Sequence, residues 1–367
     1  MNGERENRID LLRGLSLLLI FIGHAQFTFS LTFQQSRGFC DASEMFVLLA
    51  GMSCALAYYR PDTGLRLERP WKRALRLYLV HLLLFVVMAI ISALVVMAFG
   101  QTALAADMAD FWQDPFYQGL QALSLSYMPG NLDILPMYVV LLLFAPFAFL
   151  LHDWSKSTLL GLSCFIWFVA GLGHINFPNA ALEGRTWYFD PLSWQFIFVI
   201  GIYLGVRMKR GQPVLPYNKA VFAAAAVFAA AAIPLNLALH LGVVDSPFGA
   251  LHHQLVSKTN GGPLRIINVL AILYLAWNIP AVKAAADHPG LRLICVAGRH
   301  SLAVFSAGIL LSFAAVVLMT LDPDMPIVLQ MLLLAGGCAL QLVIGWMLEA
   351  RKTAKAEAIS YGLRSAA

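Results

Sequence analysis

An arginine at position 13 and a histidine at position 24 stand on one face of the first apolar segment of this chain. Eleven residues advance a helix by roughly 16 Å and about three turns, so one helix carries a cation near one membrane surface and a titratable base near the other. Asp41 and Glu44 precede the second apolar segment, and Arg73 and Arg76 enter the third. Ionisable groups at membrane depth are costly and mark binding sites, relays or catalysis. A carboxylate that accepts from one imidazole nitrogen fixes the tautomer and raises the basicity of the other, which is what a base for a sugar hydroxyl needs; Asp41 and Glu44 are placed to do this for His24. Arg73 and Arg76, three apart on a helix, suit bidentate capture of phosphate, and Arg13 approaches the same side. Plainer readings stand beside these. His24 could be a neutral histidine bonded between helices, Asp41 and Glu44 a cap and a first-turn acid, and the Arg69–Arg76 cluster an anchor on anionic headgroups.

The elements that must position these residues follow from composition. The chain has 367 residues, 60% hydrophobic and 12% charged, with a mean hydropathy of +0.73. An ordinary soluble domain is about 25% charged, so this is an integral membrane protein. Ten segments are apolar enough to span or nearly span a bilayer: 11–29, 45–59, 74–98, 132–151, 158–173, 193–206, 220–240, 264–282, 301–320 and 326–348. The second, fifth and sixth are short and need help from neighbours. With the N-terminus placed inside and the loops alternating, 19 of the 25 basic residues fall on the inner side, while Arg37, Arg185, Lys258 and Arg265 fall outside. The expected fold is an all-α bundle of about ten transmembrane helices with N- and C-termini cytoplasmic, and a short basic cytoplasmic tail over 351–367. A cleaved signal peptide is rejected for the first segment, which is long, lacks a small-x-small site and runs on into further spans. The loop 99–131 has no Lys or Arg but carries Asp107, Asp110 and Asp114 among aromatic residues, in the manner of an interfacial amphipathic lid. The five cysteines are scattered without metal-ligand spacing, which argues against zinc, iron–sulfur clusters and a disulfide framework. The net charge of +5 is explained by topology and calls for no nucleic acid. No internal repeat is visible, which disfavours the inverted-repeat transporters.

Four strings in order resemble one family. They are Arg8-Ile-Asp-Leu-Leu-Arg-Gly-Leu, Phe39-Cys-Asp-Ala-Ser-Glu-Met-Phe-Val, Asn131-Leu-Asp-Ile-Leu-Pro-Met-Tyr-Val, and Asp190-Pro-Leu-Ser-Trp-Gln-Phe-Ile-Phe. With Arg13-x10-His24 and Arg73-x-x-Arg76 they are similar to the membrane acyltransferase type-three superfamily, and within it to the OpgC family, over about residues 5–350. The resemblance implies that residues 1–350 form a polytopic membrane acyltransferase domain in a bacterial inner membrane. It implies transfer of an acyl group, typically succinyl, from cytoplasmic acyl-CoA to an osmoregulated periplasmic glucan. The acyl-CoA is a co-substrate, and no permanently bound cofactor is expected. By the same resemblance His24 is the catalytic base with Arg13 as its family partner, and Arg73 and Arg76 bind the donor. Glu44 stands where the wider superfamily often has Asp.

Asp133, at the outer start of the fourth span, either orients the sugar or caps its helix. Tyr127, Trp187, Tyr188 and Trp194 near the outer interface form an aromatic belt or stack on sugar rings, with Trp187 the named platform. His300-Ser301 looks like a base–nucleophile pair, but adjacent helical residues face different ways and helix capping is expected there. Rival readings remain open: a proton-coupled transporter or flippase using His24 and Glu44 as a relay, a scaffold binding a periplasmic polymer, or an acyltransferase for another exported glycan.

Overall fold

The computed structural model describes residues 5–61, 64–100, 108–180, 186–246 and 249–365. Asp107 and Arg185 lie outside them. In chain order the helices are α1 (Asn7–His24), α2 (Ser30–Gln35), α3 (Ala42–Tyr58), α4 (Glu68–Phe99), α5 (Ala109–Gln113), α6 (Pro115–Leu123), α7 (Ile134–Trp154), α8 (Lys156–Gly173), α9 (Pro191–Lys209), α10 (Lys219–His240), α11 (His252–Leu255), α12 (Pro263–Asn278), α13 (Pro280–Asp287), α14 (Arg292–Arg299), α15 (Ser301–Leu321) and α16 (Ile327–Ser365). Among the described residues there is no strand, only a single antiparallel bridge between Pro178 and Thr186.

Among the described helices, seven are long and apolar enough to cross a bilayer, and α12 with α13 makes an eighth if that bent pair is one span. The chain is therefore a multi-pass membrane protein. Helices also stand at the first and second expected positions, but neither passes on apolarity and length together. Helix α1 carries Arg8, Asp10 and Arg13, and α3 has only 17 residues with Glu44 among them. Both are walled by protein: α1 packs on α3, α14, α15 and α16, and α3 on α9. Polar groups at depth are tolerated in such positions because neighbouring helices, not lipid, supply their partners.

Several expected boundaries move for local reasons. The first span, expected over 11–29, is a helix over Asn7–His24. It stops because Gln26 takes a left-handed conformation at φ 52°, and the Ser30 hydroxyl donates back to the Ile22 carbonyl at 2.7 Å. His24 is thus the last residue of its helix. The expected 264–282 span breaks by 75° after Asn278. Pro280 disfavours helical backbone at Ile279, which is extended, and the Asn278 side-chain amide donates to the Tyr274 carbonyl in the last turn at 2.9 Å. In the loop before α7, Phe111 packs on Phe85 and the Trp112 indole donates to Ser92 at 2.9 Å, so α5 is pinned against α4. Helix α16 continues to Ser365, making the expected basic tail helical that far.

Helices α7 and α9 are the most enclosed of the long apolar helices, while α8, α10 and α16 are peripheral. On α4, Leu75, Leu79, Leu83, Val86, Ile90, Leu94 and Met97 form an exposed apolar stripe suited to lipid, and Ala74, Leu77, His81, Leu84 and Met88 face inward. The α3–α9 contact depends on glycine. A β-carbon on Gly51 would strike the Phe198 carbonyl, and one on Gly201 the Leu48 carbonyl. This small-residue packing lets two backbones touch and fixes α3, which carries Asp41 and Glu44 at one end and Ser53 near the other. Gly51→Ala should destabilise the protein by about 1–3 kcal/mol, since neither backbone can retreat without repacking. Gly119, with nothing within 4 Å of its would-be β-carbon, should accept alanine without loss. Thermal unfolding in detergent distinguishes the two; equal midpoints would mean the α3–α9 contact is not tight.

Candidate active site

At the His24 end of the bundle, four buried charges interlock. Asp41 caps α3: its Oδ1 accepts from the Ser43 amide at 2.8 Å, while the Asp41 amide donates to Glu44 Oε2 at 2.9 Å, completing a capping box. The outer atoms of both carboxylates are taken by cations from distant chain. Lys258 Nζ lies 2.6 Å from Asp41 Oδ2, and Arg265, near the start of α12, reaches Asp41 at 3.2 Å and Glu44 at 2.5 Å. Gln34 donates to the same Asp41 oxygen at 3.0 Å. Burial alone would push the Asp41 carboxyl up, but Lys258 and Arg265 outweigh it and hold it well below the usual carboxylate range. Burial likewise acts to lower Lys258, and Asp41 reverses this and raises it. The ammonium also lies 5.6 Å from the ring centres of Tyr188 and Phe189.

His24 stands beside this quartet, half-buried and within electrostatic reach of Lys258 and Asp41. The expected carboxylate–imidazole hydrogen bond is not made. Its Nδ1 is enclosed without a partner, because both carboxylates are already engaged by Arg265 and Lys258. A polar cavity of about 380 Å³ opens next to the quartet, lined by Asp41, Lys258, Arg265, Asn236, His240 and Tyr188 among others. Trp187, the expected sugar platform, is 5% exposed and packed on Phe177, so it offers no open face. Its neighbour Tyr188, 46% exposed, is the ring that faces the cavity. Asp133 occupies the cap position of α7 without a side-chain capping bond, within electrostatic reach of Lys258.

A second chamber, of about 250 Å³, lies inside the bundle and is lined by Arg13, Arg73 and Arg299. Arg13 donates to the Leu49 carbonyl at 3.1 Å and to the Ser53 hydroxyl. Arg73 lines the chamber, but Arg76 is exposed and outside it. Three residues leave side chains about 60° apart around a helix, enough here to divide the expected pair. Arg299 takes the place beside Arg73. It is held by Asp10 at 3.3 Å and Glu349 at 3.2 Å, and the buried Asp10 also binds Arg5 at 2.5 Å. His300 pairs with Glu349 at 2.8 Å, leaving α15 without the side-chain cap expected there.

The chamber is long. On α3 its wall runs through Phe46, Ala50, Ser53 and Ala57, a helical face of roughly 16 Å at 1.5 Å per residue. At its far end the Phe46 ring meets Tyr138 edge-on at 5.9 Å and stacks on Phe305 at 6.0 Å. Phe46 follows Glu44 by two residues, so these rings lie about 3 Å further along the α3 axis than Glu44 and on a different face of the helix. Among the described residues no three His, Cys, Asp or Glu side chains converge on a metal-sized site. Reading the sequence missed Lys258, Arg265 and Arg299. The signal for the first two was present: they are basic residues on the side that the positive-inside bias depletes.

A profile of the family described as OpgC protein matches residues 5–353. No curated protein and no solved structure matches the chain.

The quartet sets a pH dependence. A carboxyl held low in the folded state stabilises above its unfolded value, here 3.8, and loses that contribution as pH falls through the folded value. The deficit of Asp41→Asn relative to wild type should therefore be largest near neutral pH and shrink below about pH 4. Thermal midpoints from pH 7 to 3 check this; a constant deficit would mean that Asp41 is not stabilised by charge.

Proposed function

The chain belongs to the OpgC family, and from that membership and the chamber's shape we propose a membrane O-acyltransferase. Its acyl donor is a cytoplasmic coenzyme A thioester, succinyl-CoA by the likeness to the family, and its acceptor is a hydroxyl of a periplasmic glucan. The observation that carries this reading is the elongated chamber. It is lined by Arg13, Arg73 and Arg299 and otherwise mostly by apolar side chains, and its α3 wall runs up to Phe46, two residues from Glu44 of the quartet. A phosphate-bearing carrier with a long, thin acyl arm fits that shape, whereas a transported glycan does not.

In this reading ten spans cross the bacterial inner membrane with both termini in the cytoplasm, which the distribution of basic residues supports. The donor's phosphates rest at Arg73 and Arg299. The arm follows the α3 face past Arg13, and the thioester passes the Phe46–Tyr138–Phe305 rings to reach His24. The glucan enters the polar outer cavity, where Tyr188 offers a ring for a pyranose face and Asn236 an amide for its hydroxyls. Asp133 lies on the same side. His24 takes the proton from a glucan hydroxyl as the oxygen attacks the thioester carbonyl. The carbon–sulfur bond then breaks, and the leaving thiolate receives the proton from His24.

Asp41 and Glu44 act on this step through position: they fix Lys258 and Arg265, and with them the charge around the imidazole. General-base catalysis of this kind contributes about 10²–10⁴-fold. His24→Ala should therefore lower transfer by at least about 10²-fold while leaving membrane insertion and thermal midpoint intact. Mass spectrometry of periplasmic glucans from cells carrying wild type, His24→Ala or no copy reads this out. An acyl increment seen only with wild type is the expected result. Full acylation with His24→Ala would remove His24 from the mechanism, and unmodified glucan in every strain would remove the acceptor assignment.

A further inference from the structure

The inner chamber presents hydrogen-bond donors without acidic partners in its wall. Among the described residues no aspartate or glutamate lines it. Arg299 is neutralised from behind by Asp10 and Glu349. Arg13 is not: its hydrogen bonds go only to a carbonyl and a hydroxyl, those of Leu49 and Ser53. A guanidinium inside a bundle without a bonded carboxylate leaves the chamber suited to electron-rich oxygen.

Tyr138, on the inward face of α7, sharpens this. Its side chain lines the chamber, the residue is 6% exposed, and its hydroxyl has no hydrogen-bond partner. A buried tyrosine hydroxyl ordinarily finds a partner, and leaving one unsatisfied is unfavourable for the fold. Its ring is packed edge-on against Phe46, which in turn stacks on Phe305. Arg13 is within electrostatic reach of it. Beside Tyr138 the chamber wall is apolar, with Ile134 and Leu135 one turn back on α7 and Phe305 stacked on Phe46. A neutral carbonyl oxygen matches that place better than a phosphate, which Arg73 and Arg299 suit.

We propose that the Tyr138 hydroxyl binds the acyl donor, donating a hydrogen bond to a carbonyl oxygen of its arm. This rests on the acyltransferase reading. The acceptor is either an amide carbonyl of the arm or the thioester carbonyl itself, and the two separate kinetically. A bond to an amide is made equally in the ground and transition states and governs KM. A bond to the thioester oxygen strengthens as negative charge develops there and governs kcat.

The test uses the full-length protein purified in detergent, with succinyl-CoA and acetyl-CoA as donors and unmodified glucan as acceptor. Tyr138→Phe deletes only the hydroxyl. Because that group has no protein partner, the thermal midpoint should hold or rise, while KM for the donor rises or kcat falls by about tenfold. Unchanged KM and kcat would overturn the proposal. So would a lowered midpoint accompanying the kinetic loss, which would make the hydroxyl structural. A wild-type protein that neither binds nor turns over any acyl-CoA would remove the acyltransferase reading and this proposal together. Turnover by wild type with an unaffected Tyr138→Phe would remove this proposal alone.

Discussion

Charge sealed inside a membrane bundle has to be neutralised in place, and the interlock of Asp41, Glu44, Lys258 and Arg265 is where this chain meets that constraint most fully. The quartet joins three parts that sequence separates: the first turn of α3, the loop that carries Lys258, and the start of α12. Removing any one member leaves a buried charge without its counterpart, so these elements hold or fail as a unit. The position of α3 then follows from both ends. Charge fixes its start, and the glycine contact with α9 fixes its middle.

A second ion cluster does the same work at the opposite end. Asp10 binds Arg5 and Arg299, and Glu349 binds Arg299 and His300, tying α1, α14 and α16 together. Between the two clusters runs the chamber, and the contrast in how its arginines are partnered is informative. Arg299 is compensated by protein; Arg13 is hydrogen-bonded only to neutral oxygens. On the acyltransferase reading proposed above, the Arg13 guanidinium and the Tyr138 hydroxyl, which line the same cavity, are where the donor completes the bonding.

The legible part of this architecture was carried by hydropathy and by short-range spacing. Each long apolar run became a helix, because length and composition are local properties. The helix ends were misplaced where polar detail decided them: Asp41 starts α3, Gln26 in a left-handed turn ends α1, and Pro280 splits α12 from α13. Spacing singled out Arg13 and Arg73, which the fold brings to one chamber, and His24, which it sets beside the quartet. The pairing of the buried charges was not legible, because Arg265 lies 221 residues from Glu44 and Arg299 lies 289 residues from Asp10. No local pattern announces such pairs. Spacing alone also could not settle which of Arg73 and Arg76, or of Trp187 and Tyr188, turns toward a cavity. About 60° of helix rotation separates the first pair, and a single chain step the second.

The most direct measurement is a structure of the full-length protein in lipid nanodiscs with a non-reactive thioether analogue of succinyl-CoA. Its phosphates should lie at Arg73 and Arg299, its arm along the Phe46–Ala57 face of α3, and its thioether beside His24. A nucleotide bound elsewhere, or an arm that stops below the Phe46, Tyr138 and Phe305 rings with His24 out of reach, would contradict transfer through this chamber.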